Sequence, residues 1–162
     1  MIMKKSTAYL ISGQMCSGKT TYSRVLEKKT NAVRFTPDEW MLKLYPFSIK
    51  SEDFDYYYYL CGDIAWGIAK EFIKRNIDVI LDFGFWKKSD RMKYIKFVQE
   101  IGSDYKLIYI DCAESTIRER LKKRNGNLPQ GCFHVSEETF NFFAPGFEPP
   151  GNDEIFEIFD NN

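Results

Sequence analysis

Residues 13–20 read Gly13-Gln14-Met15-Cys16-Ser17-Gly18-Lys19-Thr20. Two glycines stand five apart, and a lysine and a hydroxyl residue follow the second at once. Gly13 and Gly18 admit backbone conformations closed to side chains, so successive N–H groups can converge on phosphate oxygens. A helix that starts directly after such a loop aims its positive end at the same anion. Lys19 brings a cation to the transferring phosphate, and the Thr20 hydroxyl is a ligand for Mg²⁺. The motif demands a strand before it and a helix after it, and the flanks comply. Ala8-Tyr9-Leu10-Ile11-Ser12 reads as a short buried strand, and Lys19 to Lys29 as a helix with Tyr22, Val25 and Leu26 on one face. Residues Gly13, Gln14, Met15, Cys16, Ser17, Gly18, Lys19 and Thr20 are therefore expected to bind a nucleoside triphosphate, with Thr20 at the metal.

Outward from the octet the same alternation continues. A strand is expected within 31–36, ended by Pro37, and a helical turn over 38–45. Residues 46–54 read as loop. A long helix follows over 56–75, with Leu60, Ile64, Ile68 and Phe72 repeating every four residues as its buried face. Residues 77–83 form the third strand. Ser89 or Asp90 caps a helix that stops at Gly102, and residues 105–111 form the fourth strand. A helix over 115–124, a loop over 125–136, a short helix near 137–143 and a final strand over 155–159 complete the chain. Strands separated by helices imply βαβ units and a parallel sheet, hence one α/β layer sandwich over residues 1–162.

Composition bounds the function. A chain of 162 residues suits a single domain. Lysine and arginine number 23 against 23 acidic residues, so the chain lacks the field of a general nucleic-acid binder. The cysteines Cys16, Cys61, Cys112 and Cys132 form no C-x-x-C pair, and His134 is the single histidine, which argues against a metal site built from them. Cys61 and Cys112 sit in apolar stretches and read as small core residues. No apolar run approaches the ~18 residues of a membrane span, and the N-terminus lacks a cleavage signature. A soluble protein of the reducing cytoplasm is expected.

Phosphoryl transfer needs a base near the acceptor, a metal-holding carboxylate and cations over the departing charge. Doubly wound sheets place such groups at strand ends. Asp38, just after the second strand, is placed to take a proton from a substrate hydroxyl, and a helix N-cap is its equal alternative. Asp82 ends the third strand and is placed to hold Mg²⁺ or orient the acceptor, with capping of the turn after the strand as its alternative. The letters Asp82-Phe83-Gly84 invite a protein-kinase reading, but the H-R-D, V-A-I-K and G-x-G-x-x-G signatures are missing. Arg91 points back at the site from the next helix, or else lies on a solvated face. Arg120 and Arg124 share a helix face at i, i+4 and can close over the phosphates, whereas Arg118 and Lys123 have glutamates four residues before them to pair with. Of Tyr56 to Tyr59, one or two can wall an acceptor pocket, since four in a row on a helix cannot all face the core, and packing against the 46–54 loop is their equal alternative.

The stretches GQMCSGKTT, FTPDEW, LDFGFWKKSDR, TIRERLKKRN and FEPPGNDE together resemble the small P-loop kinase group. That group includes polynucleotide 5′-kinase domains, chloramphenicol phosphotransferase, zeta-toxin-like kinases and bacterial AAA-33-type ATP-binding proteins. The resemblance covers nearly the whole chain. It implies a P-loop NTPase three-layer sandwich with a parallel five-stranded sheet in the order 2-3-1-4-5. It implies an ATP-dependent phosphotransferase acting on a hydroxyl of a small molecule, with Mg²⁺ held by Thr20 and Asp82. Lys19, Asp38, Arg120 and Arg124 are its catalytic residues, with Asp38 the general base and the arginines in the lid. Thr21 joins the ATP-binding residues, and Asp38, Asp82 and Arg91 face the acceptor. One departure stands out. Phe83-Gly84-Phe85-Trp86 replaces the polar residues of polynucleotide kinases, and an apolar wall there favours a compact or aromatic acceptor over a sugar–phosphate backbone. The rival readings are a nucleic-acid 5′-hydroxyl kinase, a non-catalytic NTP-binding switch and, as a special case of the first reading, a toxin.

Overall fold

A computed structural model describes residues 5–45, 51–128 and 132–162. Five strands form one sheet: β1 (Thr7–Ser12), β2 (Val33–Phe35), β3 (Val79–Gly84), β4 (Asp104–Asp111) and β5 (Glu157–Asp160). Their order is β2-β3-β1-β4-β5 and every pairing is parallel. The intervening helices are α1 (Lys19–Thr30), α2 (Pro37–Leu44), α3 (Ser51–Lys74), α4 (Lys88–Glu100), α5 (Glu114–Gly126) and α6 (Glu137–Phe143). This is the α/β P-loop NTPase fold, with β1 in the centre and its C-terminal end feeding the glycine loop. No helix among the described residues is long and apolar enough to cross a membrane.

The pleat of the central strands decides which side chains reach the site. Ala8 and Leu10 of β1, Val79, Leu81 and Phe83 of β3, and Leu107 of β4 pack with Ala65, Trp66, Ala69 and Ile73 of α3 and Ile95 and Val98 of α4. The alternate residues Ile11, Ile80, Ile108 and Ile110 pack on the other face, beneath Tyr22 and Leu26 of α1. Side chains alternate along a strand, so Asp82 falls on the α1 side with Ile80, whereas Phe83 falls on the α3–α4 side. A third cluster, Ile117, Leu121 and Phe140, joins α5 and α6 to Met15 and Cys16 of the loop.

Several sequence expectations need correction. Helix α3 begins at Ser51, so residues 51–54 are helical and not loop; residues 46–50 lie outside the described residues, as do 129–131 of the expected 125–136 loop. The stripe Leu60, Ile64, Ile68 is 37%, 47% and 42% exposed, while Cys61, Ala65, Ala69 and Ile73 are buried. The helix lies on the sheet through Ala65, Trp66, Ala69 and Ile73, and the Leu60, Ile64, Ile68 stripe is turned aside. The α4 N-cap is Lys87, with no side-chain cap bond, in place of Ser89 or Asp90. Cys112 is only half-buried, and its sulfur accepts a hydrogen bond from Arg120.

Arg91 also departs from expectation. Its side chain is fully buried, and Nε and Nη2 donate to the two carboxylate oxygens of Glu154 at 2.7 and 2.8 Å. Nη1 donates to the carbonyls of Phe85, Trp86 and Glu148. One guanidinium thus pins the β3–α4 turn to the 148–154 segment. Around it Lys88 N–H donates to Glu148, and the Lys87 and Lys88 side chains pair with Glu148 and Asp153. Glu154→Leu would leave that guanidinium buried without its carboxylate. It should lose about 3–5 kcal/mol in urea unfolding, and the Arg91→Met/Glu154→Leu double variant should regain part of that loss by removing both charges.

Candidate functional site

The glycine loop forms because its ends are held and its middle is left open. Gly13 N–H donates to the Gly84 carbonyl, tying the loop to the end of β3. Ser17 N–H donates to Gln14 O, and Met15 N–H to the Gln14 side chain, whose Nε2 reaches Ala144 O. Gly18 takes φ 101°, a conformation that favours glycine, and Cys16 also lies in the left-handed region at φ 61°. Among the described residues, the N–H groups of Cys16, Gly18, Lys19, Thr20 and Thr21 donate to no carbonyl. These free donors converge at the N-terminus of α1 and constitute a nest for an anion.

The Ser17 carbonyl, on the back of this nest, accepts from Arg120 Nη1 at 3.3 Å and Asn161 Nδ2 at 2.6 Å. Arg120 Nη2 donates to the Asn161 carbonyl. Arg120 therefore clamps the loop to the segment after β5. Arg124, one turn on, is differently placed. Its Nη2 donates to Phe133 O, its buried Nε has no protein partner, and its charge bears on Asp38, Lys19 and Cys16. Of the two expected lid arginines, Arg124 is the one that faces the nest with an unspent donor. Arg118 pairs with Glu114 as its spacing suggests.

Lys19, Asp38 and Asp82 lie within mutual electrostatic reach. Lys19 Nζ donates to Gln14 O at 2.8 Å. Withdrawal from water lowers its affinity for its proton, and the Asp82 and Asp38 charges oppose that loss. Asp38 stands in the first turn of α2, after Thr36 and Pro37. The α2 N-cap is Thr36, so Asp38 does not serve as the cap. Burial, then the charge of Asp82, pushes its carboxyl up from 3.8 to about 6, against the pull of Lys19 and Arg124. Asp82 is 6% exposed. Burial raises it too, opposed by Lys19, by the Thr20 hydroxyl beside it and by Arg34. Its Oδ2 is buried without a hydrogen-bond partner, 3.9 Å from Arg34 Nη1. A hydroxyl and a carboxylate with an orphaned oxygen suit a hard cation, and Mg²⁺ keeps waters and phosphate oxygens as its remaining ligands.

The arginine beside Asp82 is thus Arg34 and not Arg91. Arg34 is braced by Glu27 and by both oxygens of Glu39, which Arg24 also holds. No spacing rule links β2 to β3 in sequence; only the parallel pairing of Arg34 beside Ile80 and Phe35 beside Leu81 does. The expected apolar wall is also relocated. Phe83 and Phe85 pack on Tyr94 in the core, whereas the Trp86 ring and the Lys19 side chain both border the space where a side chain at Gly84 would begin, and Trp86 is edge-on to Phe147. Among the tyrosines, Tyr58 reaches the site. Its hydroxyl donates to Phe83 O, and burial, then Asp38 and Asp82, holds its proton well above the usual range. Tyr56 and Tyr59 are mostly exposed.

The profile of the AAA_33 family, described as an AAA domain, matches residues 9–150. Among solved structures, a kinase candidate from Chloroflexus aurantiacus superposes with a TM-score of 0.75 at 14% identity, over 97% of this chain and 88% of that one. A chain of the Pnkp1/Rnl/Hen1 RNA repair complex gives 0.69 at 17% identity, over 88% of this chain and 44% of that one. A gluconokinase from Sinorhizobium meliloti gives 0.59 at 13% identity, over 98% and 84%. At these identities the likeness is one of fold. No curated protein matches the chain in sequence.

The charge arrangement predicts a titration. In spectra of aspartate-labelled protein, the Asp38 carboxyl should titrate near pH 6, ionised above and protonated below. Asp82→Asn removes a like charge and should bring that midpoint down towards 3.8. An unchanged midpoint would mean that Asp82 does not act on it.

Proposed function

Since the chain belongs to the AAA_33 family of AAA domains, we propose that it is an ATP-dependent phosphotransferase that moves the γ-phosphoryl group onto a hydroxyl of a small-molecule acceptor, with Mg²⁺ as cofactor. The observation that carries this reading is the placement of the Asp38 carboxyl, buried within electrostatic reach of Lys19 and Asp82 beside the open N–H nest. A simple nucleotide-binding switch has no use for a carboxylate placed beside the lysine of the phosphate loop, whereas proton removal from an acceptor hydroxyl is served by one.

Each residue then has a task. The free N–H groups of residues 16 and 18–21 hold the phosphates. Lys19 and Arg124 place positive charge over the transferring group, and Arg120 acts behind the loop by fixing the Ser17 carbonyl. Thr20 and Asp82 would hold Mg²⁺, which would supply positive charge against that of the phosphates. Asp38 accepts the proton of the acceptor hydroxyl as its oxygen bonds to the γ-phosphorus and the bond to the ADP oxygen breaks. Arg91 takes no part, because its donors are spent on Glu154 and three carbonyls.

The second reading, a nucleic-acid 5′-hydroxyl kinase, draws on the likeness to the RNA repair chain. It requires steep salt dependence of oligonucleotide binding, which a chain of zero net charge is poorly built to give. Transfer from labelled ATP to nucleosides, sugars, aminoglycosides and short oligonucleotides separates the two.

Asp38→Asn should keep Mg-ATP affinity yet lose transfer by about 10²–10⁴-fold. Lys19→Ala should lose transfer and most of that affinity. The wild-type rate should fall tenfold per pH unit below about 6, where Asp38 becomes protonated, and that limb should be absent from the residual rate of Asp38→Asn. Wild-type turnover in Asp38→Asn would remove the base assignment.

A further inference from the structure

On the acceptor side, the aromatic residues form a connected series. Tyr58, pinned through its hydroxyl to the end of β3, stacks on Phe54 with ring centroids 6.1 Å apart and planes 15° from parallel. Phe54 in turn meets Phe133 edge-on at 5.3 Å. Phe133 is the residue whose carbonyl receives Arg124. An aromatic wall therefore runs from near the two carboxylates, along the first turns of α3, to Phe133 in the loop after α5, whose carbonyl receives Arg124 of that helix.

The basic side chains flanking that wall are committed elsewhere. Arg34 is held by Glu27 and Glu39, and Arg24 by Glu39. Arg91 is held by Glu154, and Lys87 and Lys88 by Glu148 and Asp153. Lys19 and Arg124 are needed for the donor's phosphates. What remains on the acceptor side is a negative field: Asp38 feels both Asp82 and Glu39 as like charges.

Resting on the phosphotransferase reading, we infer that the acceptor is a small hydroxyl compound with a flat ring and no phosphate of its own, received on Tyr58, Phe54 and Phe133 beside Asp38. A ring finds faces to pack on, and Asp38 is at hand for its hydroxyl proton. An acceptor phosphate would meet the Asp38 and Asp82 carboxylates, while Arg24, Arg34 and Arg91 are already paired with glutamates. A nucleic-acid end, which brings a phosphate at every step, is disfavoured on the same ground. The geometry discriminates by leaving the wrong acceptor's charge unpaired.

The test uses matched pairs with labelled Mg-ATP: nucleosides against their 3′-monophosphates, sugars against sugar phosphates, and aromatic alcohols. Transfer should go to ring-bearing acceptors without phosphate, and each added phosphate should lower kcat/KM by at least about tenfold. Phe54→Leu should raise the acceptor KM about three- to tenfold and leave the Mg-ATP KM and the melting temperature close to wild type. Tyr58→Phe, which keeps the ring, should keep that KM. Preference for the phosphorylated member of a pair, an acceptor KM indifferent to Phe54→Leu, or no transfer to any ring-bearing acceptor by protein that Mg-ATP stabilises against heat would each overturn the inference. Absence of that thermal stabilisation would instead sink the phosphotransferase reading itself.

Discussion

One ammonium balances two carboxylates at the mouth of the central strand. Lys19 carries its charge beside Asp38 and Asp82, and all three are drawn partly or wholly out of water. None of the three would keep its charge there alone, since burial works against each of them. The sheet order makes the arrangement possible. With β3 beside β1, the end of β3 lies against the glycine loop, and the pleat turns Asp82 towards Thr20. With β2 beside β3, Arg34 comes within reach of Asp82, and Pro37 starts the helix whose first turn delivers Asp38.

The loop itself is held from behind by groups far away in sequence. Arg120 and Asn161 share the Ser17 carbonyl, and the Asn161 amide fills the space where a side chain at Gly18 would begin. Gly18 is thus required both for its backbone conformation and for its lack of a Cβ. Arg91 and Glu154 do similar work at the other side, fixing the turn that presents Trp86 near Lys19. These braces are themselves charged. Their worth lies in positioning, because a buried ion pair adds little net stability against apolar residues of the same volume.

How much of this was legible in the sequence varies with the range of the interaction. The octet, its flanking strand and helix, and Asp38 and Asp82 at strand ends follow from local patterns, because conformational permission and strand-end placement are local rules. The sheet order came through the family resemblance, since alternation of elements alone does not order strands. What the chain could not disclose was pairing across elements. The sequence neighbourhood of Asp82 and Arg91 suggested a pair, yet Arg91 turns to a glutamate 63 positions on, and Arg34 takes its place. The Leu60, Ile64, Ile68 periodicity misled for a physical reason. The face of the helix that lies on the sheet is set by Ala65, Trp66, Ala69 and Ile73, one position on from the Leu60, Ile64, Ile68 repeat. Phe83 and Phe85 misled because residues that follow an aspartate at a strand end alternate in face, and these two take the core side.

The account stands on the anion nest and its lysine, so calorimetric titration of the wild-type protein with Mg-ATP tests it most directly. It predicts one saturable site per chain, with heat suppressed when ADP is already bound. No heat under conditions where the protein is folded would contradict it.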